Sequence, residues 1–157
     1  MLESVDRFTT VVHVHTVLRQ RDGRLLLSRR ALQLPGGGWW QLPGGHLNAD
    51  ESVAAGAVRE LAEETGIVVE TQDLAFRHLM HHRNRAGASR VSVFFEALHW
   101  SGEPRNMEPD RCCRIGFFSE DELPSPLLPQ VAGALTALRD EAAFSVAGWT
   151  DEPAPAG

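Results

Sequence analysis

Apolar and polar positions alternate along much of this chain, in the short runs that are typical of β-strands. These runs are rich in β-branched and aromatic residues and are separated by turn-forming Gly, Pro, Asn and Asp. Strands are predicted over residues 9–18, 24–27, 41–47, 74–81, 90–98 and 112–118. Because Asp22-Gly23 is a hairpin turn signal, the first two strands are expected to form a hairpin.

Two segments show instead the periodicity of amphipathic helices. The first begins after Asp50 or Ser52, either of which is a suitable N-cap, and runs to about Thr65, where Gly66 ends it. Its apolar arc consists of Ala54, Ala57, Val58 and Leu61. The second helix is predicted over residues 127–141. This order of elements predicts an α/β fold in which a mixed sheet packs between helices.

Length and composition fit one folded domain. The chain has 157 residues, of which 43% are hydrophobic, and this is enough for a buried core. We expect a single domain over residues 1–150. Residues 151–157 are rich in Pro, Ala and Gly, so we expect a disordered tail there.

Charge and cysteine usage limit the partners and the compartment. The net charge of −6 argues against a general nucleic-acid binder, but a small phosphorylated substrate stays compatible, because bound cations can invert the local field. No apolar run approaches the length of a membrane span, and the first residues lack a signal-peptide pattern. Cys112 and Cys113 are adjacent, which suits neither a disulfide between them nor a metal site. A cytoplasmic protein is therefore expected.

Three carboxylates lie close together on the first predicted helix. Glu63 and Glu64 follow Glu60 by three and four positions, so we expect all three to project from roughly the same side of the helix. Ionised carboxylates this close repel one another unless a cation lies between them. Such clusters are typical of sites for Mg²⁺ or Mn²⁺, which prefer oxygen ligands.

The segment around these carboxylates resembles the signature of the Nudix hydrolase family, G-x5-E-x7-R-E-U-x-E-E-x-G-U, in which U is a bulky aliphatic residue. Every fixed position is met. The matching residues are Gly45, Glu51, Arg59, Glu60, Leu61, Glu63, Glu64, Gly66 and Ile67. The preceding Leu42-Pro43-Gly44 also looks like the family, and the resemblance extends from about residue 9 to about residue 140.

The resemblance implies a Nudix-type α/β/α sandwich that hydrolyses a diphosphate bond in a nucleoside diphosphate linked to another group. It implies Mg²⁺, for which Mn²⁺ can substitute, held by the three clustered glutamates. The backbone carbonyl of Gly44 or Gly45 is expected as a further ligand. Glu51 and Arg59 are expected to form a two-point ion pair that orients the catalytic helix.

The signature does not identify the general base. In several relatives the base is a glutamate on a loop outside the signature. Glu108, in the predicted loop 101–111, is the first candidate here, and Pro109 would stiffen its backbone. Glu63 is the alternative base.

Other residues are candidates for binding the substrate. Arg29 and Arg30 end the second strand and can hold a distal phosphate, and Trp40, or its neighbour Trp39, can stack on a base. His82 lies at the end of a predicted strand, where it can contact a phosphate or a base. His13 and His15, which share one face of the first strand, are an alternative to it. Gln130 is the only polar side chain suited to base recognition near the start of the second helix.

The resemblance leaves the substrate open. The favoured reaction converts a (d)NTP to the monophosphate and pyrophosphate; the alternatives are a nucleotide-sugar or dinucleotide hydrolase and a non-catalytic nucleotide sensor. Purine-specific relatives that remove oxidised nucleotides often carry an acidic residue near the start of the second helix, and residues 125–130 contain none. Sensors typically lose signature glutamates, and this chain keeps them all. The expected partner is a small phosphorylated nucleotide, bound by a monomer or homodimer.

Overall fold

The computed structural model describes residues 7–149, which form two β-sheets and two α-helices. The strands are β1 (Val11–Val17), β2 (Leu25–Arg30), β3 (Trp40–Gln41), β4 (Gly44–His46), β5 (Leu74–Arg83), β6 (Ser89–Ala97), β7 (Cys112–Phe118) and β8 (Phe144–Ala147). The helices are α1 (Val53–Thr65) and α2 (Pro129–Arg139). No helix within residues 7–149 is long and apolar enough to cross a membrane. The tail predicted over 151–157 lies outside the described residues.

The larger sheet is mixed and the smaller one is antiparallel. The five-stranded sheet has the order β4-β1-β6-β5-β8, in which β1 runs parallel to β6 and β5 runs parallel to β8. The three-stranded sheet has the order β3-β2-β7. The turn at Asp22-Gly23 forms, since the Leu26 N–H donates to the Leu18 carbonyl at 2.9 Å. The two strands nevertheless separate beyond the turn and do not form the expected hairpin, because β1 and β2 belong to different sheets.

The two helices cover opposite faces of the five-stranded sheet. On one face, Val93 and Phe95 of β6 pack in a cluster with Ala57 of α1. On the other face, Phe94 packs in a cluster with Leu135 of α2 and with the smaller sheet. Because successive residues of a strand point to opposite faces, this alternation places the sheet between the helices. The predicted α/β/α fold is confirmed.

Helix α1 begins and ends at the predicted signals. The Ser52 hydroxyl accepts a hydrogen bond from the Ala55 N–H at 3.1 Å, so Ser52 rather than Asp50 is the N-cap. Gly66 ends the helix at φ 73°, in the left-handed region that favours glycine, and its N–H donates to the Ala62 carbonyl. The caps fix the span of α1 and therefore the position of the glutamates that it carries.

Two sequence predictions of secondary structure need correction, and one strand was missed. The strand predicted over 41–47 is two short strands in different sheets, separated at Leu42-Pro43. Helix α2 begins at Pro129, which occupies the first turn where a proline is tolerated, so it is shorter than predicted. Strand β8 was not predicted from the sequence. Its four residues pair in parallel with β5, a contact between distant segments.

Candidate active site

A cleft of about 400 Å³ is lined by residues of both sheets, of both helices and of the loop before β7. The Nudix-like segment lies at this cleft: Gly44 and Gly45 of β4 and Glu60 and Glu64 of α1 all line it. Strand β4 pairs with β1, and α1 follows β4 after a short loop. The fold therefore brings a glycine backbone and a row of carboxylates to one wall of the cleft.

Glu64 is the most perturbed acid of this wall. The pKa of its carboxyl group is raised to about 8, chiefly by burial and in addition by the charges of Glu60 and Glu108. Two groups act in the opposite direction: the Gly44 N–H, which donates to Glu64 Oε2 at 3.1 Å, and the Arg111 guanidinium. An ionised Glu64 therefore needs more positive charge than the protein alone supplies. That is the property expected of a cation ligand.

Two glycines let the backbone approach these carboxylates. A β-carbon at Gly45 would lie 2.6 Å from the Glu60 carboxyl carbon, and a β-carbon at Gly44 would lie 2.1 Å from the Val14 carbonyl oxygen. Both distances are shorter than real contacts of β-carbons. Gly44 is therefore required by the close packing of β4 against β1, and a side chain at Gly45 would displace the Glu60 carboxylate.

Arg59 and Glu51 form the predicted two-point pair. Arg59 Nε donates to Glu51 Oε2 at 2.9 Å, and Nη2 donates to Glu51 Oε1 at 2.6 Å. The hydrogen bond from Arg59, followed by that from the Asn48 N–H, lowers the pKa of Glu51 to about 2. Arg59 Nη2 also donates to the His46 carbonyl at 3.1 Å. The pair thus ties α1 to the end of β4 and to the loop between them.

The same guanidinium contacts two of the predicted metal ligands. Arg59 Nη1 donates to Glu60 Oε1 at 2.8 Å and to Glu63 Oε2 at 3.2 Å. The Glu63 side chain is 51% exposed and does not line the cleft. The structure therefore brings Glu60 and Glu64 together at the cleft, and it leaves Glu63 at the outer edge of α1.

The donor groups fit a hard divalent cation. Within residues 7–149, no three acidic, histidine or cysteine side chains converge on one point that could hold a metal ion. Mg²⁺ requires no such cage, since it is commonly held by one or two carboxylates and keeps several waters. Glu60 and Glu64, with the carbonyl of Gly44 or Gly45, are the residues that would hold it. The buried carboxyl of Glu64 is the observation that favours this fit.

Glu108 lines the cleft, as expected for a candidate base. Its loop is held by Asn106, whose Nδ2 donates to the Cys112 carbonyl at 2.6 Å and whose Oδ1 accepts from the Glu108 N–H at 3.2 Å. Arg111 lines the cleft as well and was not singled out from the sequence. Only its position three residues after Glu108 could have suggested it.

The predicted substrate-binding residues divide into two groups. Arg29, Arg30 and Gln130 line the cleft. Arg29 Nε donates to the Gly38 carbonyl at 3.0 Å and Arg30 Nε donates to the Pro35 carbonyl at 2.6 Å, so the loop after β2 positions both guanidinium groups. These side chains are available to contact an anionic ligand.

Trp40 and His82 are not at the cleft, and the structure corrects both predictions. Trp40 is 4% exposed, and its ring packs edge-on against Phe118 in the core at a centroid distance of 4.9 Å. It is therefore unable to stack on a base. His82 is also 4% exposed, and its Nε2 hydrogen-bonds to Ser92 Oγ at 2.9 Å. The alternative pair, His13 and His15, does line the cleft.

The comparisons with known proteins agree with this geometry. The NUDIX domain family matches residues 9–139, and the chain belongs to that family. A MutT NUDIX hydrolase from Burkholderia pseudomallei, known from a crystal structure, is 35% identical with a TM-score of 0.74; the match covers 82% of this chain and 98% of that one.

Two curated relatives match over shorter segments. A MutT-like protein from Streptomyces ambofaciens is 49% identical over 63 residues, 40% of this chain and 38% of that protein. The CTP pyrophosphohydrolase of Escherichia coli (strain K12) is 35% identical over 68 residues, 43% of this chain and 50% of that protein. The chain thus spans half or less of the length of these relatives.

Proposed function

We propose that this protein is a Mg²⁺-dependent pyrophosphohydrolase that converts a nucleoside triphosphate, or its deoxy form, to the monophosphate and pyrophosphate. The observation that carries the proposal is the wall of Glu60, Glu64 and the β4 glycines, which lies in one cleft with Glu108 and with several arginines. Carboxylates on one side suit a cation, and arginines suit phosphates. Mn²⁺ is expected to substitute for Mg²⁺ because it takes the same oxygen ligands.

The reaction assigns a separate task to each group. When bound, the divalent ion would neutralise phosphate oxygens and lower the pKa of the attacking water. Glu60 and Glu64 would hold the ion, and Glu108 accepts the proton of the water. The water oxygen bonds to phosphorus while one anhydride bond breaks, and pyrophosphate leaves. Arg59 and Glu51 hold α1 in a fixed position relative to β4, so that the carboxylates stay directed into the cleft.

The position of Glu108 favours it over Glu63 as the base. Glu108 lines the cleft, and Glu63 lies outside it with its side chain half exposed. A general base has to lie within hydrogen-bonding reach of the water that it deprotonates. Glu63 stays assigned to the metal site only through the family resemblance, and it would have to leave Arg59 to act there.

Arg29, Arg30 and Arg111 favour a triphosphate over a nucleotide sugar. Three cationic side chains line the cleft, and a triphosphate carries more negative charge than a nucleotide sugar. The similarity to a CTP pyrophosphohydrolase makes CTP and dCTP the first substrates to test. A non-catalytic sensor is disfavoured because every signature glutamate is present. A cytoplasmic location and a monomeric or homodimeric state stay predictions.

A nucleotide panel tests this proposal. The ribo- and deoxyribonucleoside triphosphates, ADP-ribose, a nucleotide sugar and a dinucleoside polyphosphate are each incubated with Mg²⁺, and pyrophosphate and phosphate are detected separately. We expect equal amounts of monophosphate and pyrophosphate from at least one triphosphate. Release of orthophosphate alone, or cleavage restricted to the sugar or dinucleotide substrates, would contradict the triphosphate assignment. Binding without turnover of any substrate would favour the sensor.

A further inference from the structure

His15 of β1 is a buried cleft residue whose ring nitrogens have no hydrogen-bond partner among residues 7–149. Its backbone pairs with Gly44 of β4, its imidazole stacks on Phe94 at a centroid distance of 4.8 Å, and the residue is 8% exposed. A β-carbon at Gly44 would lie 2.8 Å from His15 Nδ1, so the ring lies directly against the glycine backbone of the candidate active site.

Two other buried histidines on the same sheet are fully accounted for. His78 Nδ1 hydrogen-bonds to the Ala142 carbonyl and His78 Nε2 to Ser145 Oγ, each at 2.7 Å, while His82 bonds to Ser92 Oγ. Buried polar atoms are nearly always paired, and exceptions occur where a ligand, ion or ordered water supplies the partner. His15 differs from these two in lining the cleft. Its partner is therefore expected to come from the cleft.

The chemistry of the ring limits what that partner is. The imidazole lies against Phe94 and no carboxylate within residues 7–149 is hydrogen-bonded to it, and a neutral imidazole offers one donor and one acceptor. Such a group does not supply the positive charge that suits a phosphate. It matches an uncharged ligand with both donors and acceptors, such as the edge of a nucleobase. Ser28, Gln41 and Gln130, which also line the cleft, are uncharged hydrogen-bonding residues of the same kind.

We propose that His15 is a specificity-determining residue that hydrogen-bonds the nucleobase of the substrate. This inference rests on the proposed function, because it assumes a nucleotide in the cleft. It goes beyond that function by assigning base recognition to β1, at the point where β1 meets Gly44. The phosphates then lie towards the carboxylates and arginines, and the base lies against His15.

The first test observes the ring itself in the wild-type protein. Long-range ¹H–¹⁵N spectra of the histidine side chains are recorded during titration with CMP, UMP, AMP and GMP, with ribose 5-phosphate as the base-free control. We expect at least one nucleotide to shift the His15 ring nitrogens by several ppm, and ribose 5-phosphate to leave them in place. Equal shifts of the His15 nitrogens with ribose 5-phosphate would overturn the proposal. It would also be overturned if a nucleotide shifts other resonances, and so binds, but leaves the His15 nitrogens in place.

The second test measures specificity in matched variants. His15→Phe keeps a flat ring against Phe94 but removes both nitrogens, and His15→Gln restores a hydrogen-bonding group. We expect His15→Phe to change the ratio of kcat/KM between the best and the poorest nucleobase by about tenfold or more, mainly through KM, and His15→Gln to recover part of it. His78→Phe is the control: it removes a buried, fully paired histidine outside the cleft, so it should lower Tm without changing the ratio.

The outcomes separate this proposal from the proposed function. If wild-type protein hydrolyses no nucleotide, the proposed function fails, and the spectra still decide whether His15 contacts a base. If wild-type protein hydrolyses nucleotides and His15→Phe slows all of them equally, the hydrolase assignment stands and the role of His15 is wrong. Should His15→Phe fail to fold, the wild-type spectra and His15→Gln decide the matter.

Discussion

Replacing Glu64 with glutamine should stabilise the metal-free protein while it removes most of the activity. The structure raises the pKa of this carboxyl from its ordinary 4.5 to about 8, chiefly through burial. Between those two values the unfolded chain has released the proton and the folded protein has kept it. The contribution of this carboxyl to stability therefore falls as pH rises from 4.5 to 8, because over that range the folded state keeps its proton and the unfolded state does not. Glutamine has no proton to lose and avoids this cost.

The size of the effect follows from the shift. At pH 7 the unfolded carboxyl is ionised and the folded one is still mostly protonated, so the cost is set by the distance from pH 4.5 to pH 7. Each pH unit is worth about 1.4 kcal/mol, which gives ~3 kcal/mol of stability. For a domain of this size, each kcal/mol moves Tm by about 2–4 °C, so Glu64→Gln should raise Tm by roughly 6–12 °C. With Mg²⁺ added, wild type should have the higher Tm of the two, because the ion stabilises only the protein that binds it.

The assay is a series of thermal melts between pH 5 and pH 9 in excess chelator, for wild type, Glu64→Gln and the control Glu103→Gln. Glu103 is an exposed acid in the loop before β7. The Tm advantage of Glu64→Gln should grow from pH 5 to about pH 8 and then level off, and Glu103→Gln should follow wild type. A Glu64→Gln variant that melts at or below wild type at pH 8 would refute the reasoning. We also expect its turnover to fall at least about 10²-fold, as loss of a metal ligand implies.

Further predictions follow from the other contacts. Glu108→Gln should lower kcat by roughly 10²–10⁴-fold with little change in KM, and Glu103→Gln should not; an unchanged kcat would move the base to Glu63. Arg59→Ala and Glu51→Ala should each reduce rate and Tm, with the double variant little worse than either single one, whereas additive losses would show independent roles. The contribution of His15 to stability should fall as pH drops from about 6.5 towards 3, because the unfolded residue takes up a proton that the folded ring does not. The Tm of wild type should therefore fall more steeply over that range than the Tm of His15→Phe.

The sequence predicted best those features that are set by local chemistry. Helix α1 was found because its N-cap, its apolar arc and Gly66 all lie within one short segment. The signature glutamates were found because their spacing along one helix fixes which face they share. That spacing did not show that Glu63 would pair with Arg59 outside the cleft. Local spacing therefore located the site but not the final orientation of each side chain.

Features that depend on pairing between distant segments were predicted less well. Strand β8 is recognisable only through its partner β5, and the separation of β1 from β2 depends on two sheets that no local pattern describes. The same cause explains Trp40, which the sequence offered as a residue able to stack on a base. Pairing of β3 with β2 turns its ring into the core against Phe118. Tertiary packing, rather than residue type, decided these positions.

The central claim is that the carboxylate wall of α1 serves a divalent ion in the hydrolysis of a nucleoside triphosphate. The most direct measurement follows CTP and the other triphosphates by ³¹P NMR, first in excess chelator and then after addition of Mg²⁺ or Mn²⁺. We expect no turnover with chelator and, with either ion, conversion of at least one triphosphate to its monophosphate and pyrophosphate in equal amounts. Full turnover in chelator, or no turnover of any triphosphate with either ion, would contradict the account.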